Sequence, residues 1–113
     1  MYVTDSPWGE VQYQQEICPE VAVEVGTPGH GGVMILKDET DWMTPYTRNK
    51  AIDYGEYLCF EEDCDAPLVI YELIVNNFYH FPLTYSCTFD EYFEAIKDNI
   101  RRWNPEYASR YDV

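Results

Sequence analysis

Basic residues are the scarcest component of this sequence. Seven Lys and Arg stand against 21 Asp and Glu, a formal net charge of −14 over 113 residues. From Met1 to Leu36 there is no Lys or Arg, and from Ala51 to Ile96 there is none again, while these stretches hold five and ten acids. Most acids therefore have no basic neighbour in sequence. A field of this sign repels nucleic acid and anionic membranes and attracts cationic surfaces, which argues against direct nucleic-acid binding.

Other absences narrow the class further. No run approaches the ~18 apolar residues that a membrane span needs. The opening Met1-Tyr2-Val3-Thr4-Asp5 has neither the basic nor the apolar region of a secretory leader. The four cysteines, Cys18, Cys59, Cys64 and Cys87, are thus expected as free, mostly buried thiols in a reducing cytoplasm rather than as two disulfides. There is no internal repeat, low-complexity tract or linker, and 113 residues suit one domain, 1–113. What the chain has in quantity is apolar and aromatic surface: 46% hydrophobic residues, with 11 Tyr, 5 Phe and 3 Trp. That is far too much for a disordered acidic chain, so a packed core is expected.

Patterning places strands first and helices later. Ser6-Pro7-Trp8-Gly9 reads as a turn with an aromatic anchor, followed by strand-like Glu10–Cys18 and Val21–Val25. In the second, Val21, Val23 and Val25 alternate with Ala22 and Glu24, the period of a half-buried strand. Thr27-Pro28-Gly29-His30-Gly31-Gly32 predicts a tight loop of conformationally permissive residues, and Val33–Leu36 a further strand. Asp38 or Thr40 is placed to cap a short helix carrying Trp42 and Met43, interrupted by Pro45 and resumed over Tyr46–Ile52. Tyr54–Phe60 reads as a strand.

Asp65 is in position to cap a helix over Ala66–Val75, with Pro67 in its first turn. After a connection from Phe78 to Cys87, Thr88-Phe89-Asp90-Glu91 has the spacing of a capping box. The helix it opens carries one stripe of Phe89, Tyr92, Phe93, Ile96, Ile100 and Trp103, read as core. Asp90, Glu91 and Glu94 come early and Lys97, Arg101 and Arg102 late, in the order that complements the helix dipole. Asn104-Pro105 ends it. The expected architecture is α+β: a small antiparallel sheet with two or three helices packed on one face.

Four runs taken in order, Ser6-Pro7-Trp8-Gly9, Thr27-Pro28-Gly29-His30-Gly31-Gly32, Glu61-Glu62-Asp63-Cys64-Asp65 and Arg102-Trp103-Asn104-Pro105, resemble a family of small domains carried by phages, plasmids and integrated elements of bacteria. The resemblance spans nearly the whole chain and brings no activity or catalytic residue with it. What it implies is a setting: an accessory gene of a mobile element, acting in the cytoplasm of a bacterial host.

Each cluster of reactive residues has a plain reading beside a functional one. His30, flanked by glycines, could serve as a base or ligand, but also as a ring that bonds backbone groups and fixes its loop. Cys64 precedes a helix, where a thiol can be activated, yet Glu62, Asp63 and Asp65 oppose a thiolate. Cys59 and Cys64 have no second pair to complete a zinc site, with Cys18, Cys87, His30 and His80 scattered. The acidic run lacks the spacing of a calcium loop, and the glycines lack a phosphate-cradle pattern. No cofactor is expected.

The acidic surface is then the leading candidate, with Asp53, Glu56, Glu61, Glu62, Asp63 and Asp65 as the expected partner-binding residues. Carboxylates spaced on a rigid face imitate phosphates, and the mobile-element setting makes a basic nucleic-acid-binding defence nuclease, of CRISPR or restriction type, the expected protein partner. Homo-oligomerisation is left open. The alternative is a small hydrolase or thiol enzyme using His30 and Cys64, and an accessory role in transcription or structure is a third.

Overall fold

The computed structural model describes residues 1–113. A small hairpin pairs β1 (Asp5–Ser6) with β2 (Gly9–Glu10). Ser6 Oγ donates to the Gly9 carbonyl at 2.7 Å and accepts from the Trp8 amide at 3.2 Å, and Gly9 closes the turn at φ 119°, which a side chain would resist. The main sheet comprises β3 (Tyr13–Cys18), β4 (Ala22–Gly26), β5 (Gly31–Leu36), β6 (Ile52–Tyr54) and β7 (Tyr57–Glu61). All neighbours are antiparallel, in the order β3-β4-β5-β7-β6.

Three helices of seven residues or more follow or precede one another closely: α2 (Ala66–Val75), α3 (Phe89–Trp103) and α4 (Pro105–Tyr111), with a single-turn α1 (Pro45–Arg48) earlier in the chain. The α+β architecture expected from the patterning is the one observed. In α3 the capping box is complete: Thr88 Oγ1 accepts from the Glu91 amide at 3.1 Å and the Thr88 amide donates to Glu91 Oε1 at 2.9 Å.

The central strands β4, β5 and β7 are buried on both faces. On the helix side, Ile17, Ala22, Val33, Ile35, Leu58 and Phe60 pack with Leu68, Val69, Leu73, Ile96, Ile100 and Tyr107. On the other side Val23, Val25, Met34 and Cys59 pack under Val3, with Trp8 and Val11 laid over them. The alternation expected of Val21–Val25 holds within β4, where Val23 and Val25 face the N-terminal segment and Ala22 and Glu24 the helices, but Val21 precedes the strand and packs on the helix side. A buried carboxylate ties three helices together. The buried Glu72 of α2 accepts from the Thr44 amide (2.9 Å), the Thr44 and Thr47 hydroxyls (2.6 and 2.5 Å) and the Tyr107 hydroxyl (2.8 Å). Four donors satisfy a carboxylate that would otherwise be costly to bury.

Several local expectations are corrected. Residues 10–18 divide between β2 and β3, and 54–60 belong to a hairpin that turns at Gly55. Trp42 and Met43 lie in a turn, and Pro45 starts α1 instead of interrupting a helix, because Thr44 accepts from the Thr47 amide as its cap. The Asp65 side chain makes no cap; α2 starts from Asp65 in helical conformation. The α3 stripe is only partly core: Ile96 and Ile100 are buried, whereas Phe89 is 37% and Trp103 60% exposed. Of the cysteines, all free, only Cys59 is buried, and Cys87 is exposed.

Candidate partner-binding site

The four sequence runs that share a resemblance are neighbours at one end of the sheet. Trp8 packs over Gly32, whose backbone also lies against the carbonyl of Phe60; a Cβ there would sit 2.5 Å from the Trp8 ring and 2.1 Å from that oxygen. A Cβ on Gly31 would meet the Val25 carbonyl at 2.5 Å. Close approach, not an unusual φ, is what demands glycine at both positions, since neither has positive φ. The loop before them is closed by Thr27, whose amide and hydroxyl donate to the His30 carbonyl at 2.8 and 2.7 Å. The exposed His30 ring takes no part in this, so the loop-fixing role expected of it belongs to Thr27.

The β5–β7 ladder runs past its last strand pair, with the Glu62 amide donating to the Gly31 carbonyl at 3.0 Å. This brings the glycine loop beside the acidic run Glu61–Asp65. The run is held from behind by α3 and the residue after it: Asn99 Nδ2 donates to the Asp63 carbonyl at 3.0 Å, and the buried Asn104 donates to the Cys64 carbonyl at 2.8 Å. None of Glu61, Glu62, Asp63 and Asp65 has a basic group within salt-bridge distance. The only ion pairs between side chains are Lys37–Asp53, Lys97–Glu94 at 2.6 Å and Arg101–Asp98 at 2.6 Å. The acidic loop therefore has a backbone held in place and carries uncompensated negative charge.

The six expected contact residues do not form one group. Asp53, in β6 opposite Leu58, and Glu56, in the turn after it, lie towards the other end of β7 from Glu61. At about 3.3 Å per residue, the three steps from Asp53's partner Leu58 to Glu61 span roughly 10 Å and the four from the turn end roughly 13 Å. Asp53 is also neutralised by Lys37.

His30 and Cys64 lie at the same end of the sheet as the acidic loop. The Cys64 thiol is half-buried, and its pKa is raised above the ordinary thiol value, first by burial and then by Asp65, Glu61 and Asp63. That is the environment of an inert thiol rather than an activated one. No group of three or more His, Cys, Asp or Glu converges to hold a metal ion.

Sequence reasoning missed a cleft beside the loop, of about 350 Å³, between the helices and the β4–β5 end of the sheet. Glu24 and Glu62 project acidity into it, Tyr13 and Tyr92 line it, and Val33 and Ile96 contribute apolar surface. Burial raises the Glu24 pKa above the usual carboxylate range, the nearby Glu62 charge adds to this, and a 2.9 Å bond from the Tyr85 hydroxyl opposes it. Tyr85 rests on Tyr92 at 5.3 Å between ring centroids, and Tyr79 stacks on Tyr92 at 5.9 Å. The signal in the sequence was a single Glu inside the otherwise apolar run Val21–Val25, which marks a strand covered on both faces.

A family model described as a domain of unknown function (DUF7007) matches residues 2–112, and the chain belongs to that family. No curated protein and no solved structure matches it. No helix is long and apolar enough to cross a membrane.

Proposed function

We propose that this DUF7007 chain is an acidic partner-binding protein that inhibits a host nucleic-acid-binding defence nuclease, of CRISPR or restriction type, by occupying a basic channel. The observation that carries the reading is the Glu61–Asp65 loop. Its backbone is pinned by Asn99 and Asn104, and its four carboxylates face no base. A charged loop whose backbone is already ordered loses less entropy on binding, and a channel built for phosphates supplies the complementary field. The resemblance to domains of phages, plasmids and integrated elements supplies the setting, the cytoplasm of a bacterial host. Asp53 and Glu56 are assigned a steering role at most, because of their separation from the loop.

The test is cleavage by a panel of CRISPR effectors and restriction enzymes with and without the protein. A responsive nuclease is then challenged with a variant carrying Glu61→Gln, Glu62→Gln, Asp63→Asn and Asp65→Asn. A loss of about tenfold or more in inhibition is expected, the scale that loss of a few charge contacts produces. Inhibition that survives all four changes rejects the acidic loop as the contact. The alternative of a thiol enzyme on His30 and Cys64 has their shared end of the sheet in its favour and the raised Cys64 pKa against it. Under the inhibitor reading, Cys64→Ser and His30→Ala leave inhibition intact.

A further inference from the structure

The contact proposed for the acidic loop leaves the neighbouring cleft unused. Its composition is unlike that of an ordinary surface groove. Val33, Ile70 and Ile96 give it apolar surface, Tyr13 and Tyr92 present rings, and Glu24 and Glu62 supply two carboxylates. Its volume, about 350 Å³, is that of a small-ligand pocket. Glu24 is the unusual member. It lies on the helix-covered face of β4, accepts one hydrogen bond, from Tyr85, and has no basic group within salt-bridge distance. Glu72, the buried carboxylate of α2, is by contrast satisfied by four donors. The Tyr79 hydroxyl, in the same aromatic stack behind the cleft lining, is buried without a hydrogen bond of good geometry. A largely buried carboxylate with one neutral donor is costly, and an incoming cation would offset that cost.

We propose that this cleft receives a cation carried on an apolar stem, an alkyl-guanidinium or alkyl-ammonium group. Glu24 and Glu62 hold the charge, Val33, Ile70 and Ile96 receive the methylenes, and the Tyr13 and Tyr92 rings flank the stem. Arg and Lys have this division, with an apolar stem and a charged head, and their cations favour aromatic faces. The source assigned to it is a side chain of the basic partner, which rests on the reading above; the cleft's chemistry does not. A free polyamine offers the same chemistry.

The experiment is a methyl-detected NMR titration of the whole chain with n-butylguanidinium. Saturable shifts are expected at the methyls of Val33, Ile70 and Ile96. Guanidinium without a stem and n-butanol without a charge should each bind at least about tenfold more weakly, as expected when both parts contribute. Glu24→Gln should lose about tenfold or more in affinity. A second variant, Gly26→Val, narrows the cleft while keeping both carboxylates; a Cβ there meets nothing closer than Tyr13 at 3.7 Å. Unchanged affinity in both variants, or shifts confined to methyls outside the cleft, overturns the proposal. Tighter binding of a glycine peptide with one central Arg than of spermidine assigns the partner's side chain, and the reverse order assigns a free polyamine. Retained nuclease inhibition with no butylguanidinium binding rejects the cleft alone, whereas cleft binding with no inhibited nuclease rejects the partner reading alone.

Discussion

Glu24 shows how one side chain departs from its neighbours' pattern and what that costs. Its pKa is raised mainly by burial, so as pH rises the unfolded chain gives up this proton before the folded chain does. Ionised Glu24 therefore opposes folding: the penalty is absent below the unfolded pKa, grows between the two values and is complete above the folded one. Glu24→Gln is expected to match the parent in acid and to be the more stable protein towards neutral pH, read from denaturant midpoints across pH. A difference that does not change with pH would contradict the buried-carboxylate account. The cysteines give a second residue-scale prediction. Burial pushes the Cys59 thiol up to about 12, while Cys87 is exposed. Under native conditions a thiol-specific reagent should label Cys87 first and Cys59 last. Equal rates would mean that the sheet opens readily.

Among the elements, those with local causes were legible and those set by distant contacts were not. The α3 helix announced itself through Thr88 and Glu91, and its box is present in full. Removing that cap by Thr88→Ala should cost about 1 kcal/mol, measured by chemical denaturation. Strand β4 was found and read as half-buried, but nothing within Val21–Val25 says that the N-terminal segment covers Val23 and Val25, or that Val21 turns to the helix side. The Pro45 helix was inverted for a related reason: a Pro that interrupts one helix and a Pro that starts another look alike until the Thr44 cap is seen. Trp103 matched a core period, yet it lies in the last turn of α3 and is exposed. The glycine loop was identified for the wrong property. Gly32 is required by the Trp8 ring and the Phe60 carbonyl, so Gly32→Ala should cost about 2–3 kcal/mol, as overpacking does, and should displace Trp8. Trp fluorescence unchanged in position and a midpoint unchanged in denaturant would refute that packing.

At the scale of the whole molecule, the excess of acid is only partly paired. Three side-chain ion pairs serve 21 acids, and two of the three lie within α3. The acidic loop, the glycine loop, the Trp8 turn and the Asn104 junction meet at one end of the sheet, joined by the Trp8–Gly32, Gly31–Glu62 and Cys64–Asn104 contacts. Charge and motif positions were readable from the chain; their convergence, and the division of Asp53 and Glu56 from the rest, depended on the β5–β7 register. The account predicts that the loop and a nucleic acid compete for the same basic surface. The most direct measurement is competition binding between this protein and the nucleic-acid substrate of a nuclease it inhibits, at low and at raised salt. Mutually exclusive binding is predicted, with an affinity that falls as salt rises and a shallower salt dependence in the four-residue loop variant. Simultaneous binding of protein and nucleic acid, with an affinity indifferent to salt, would contradict it.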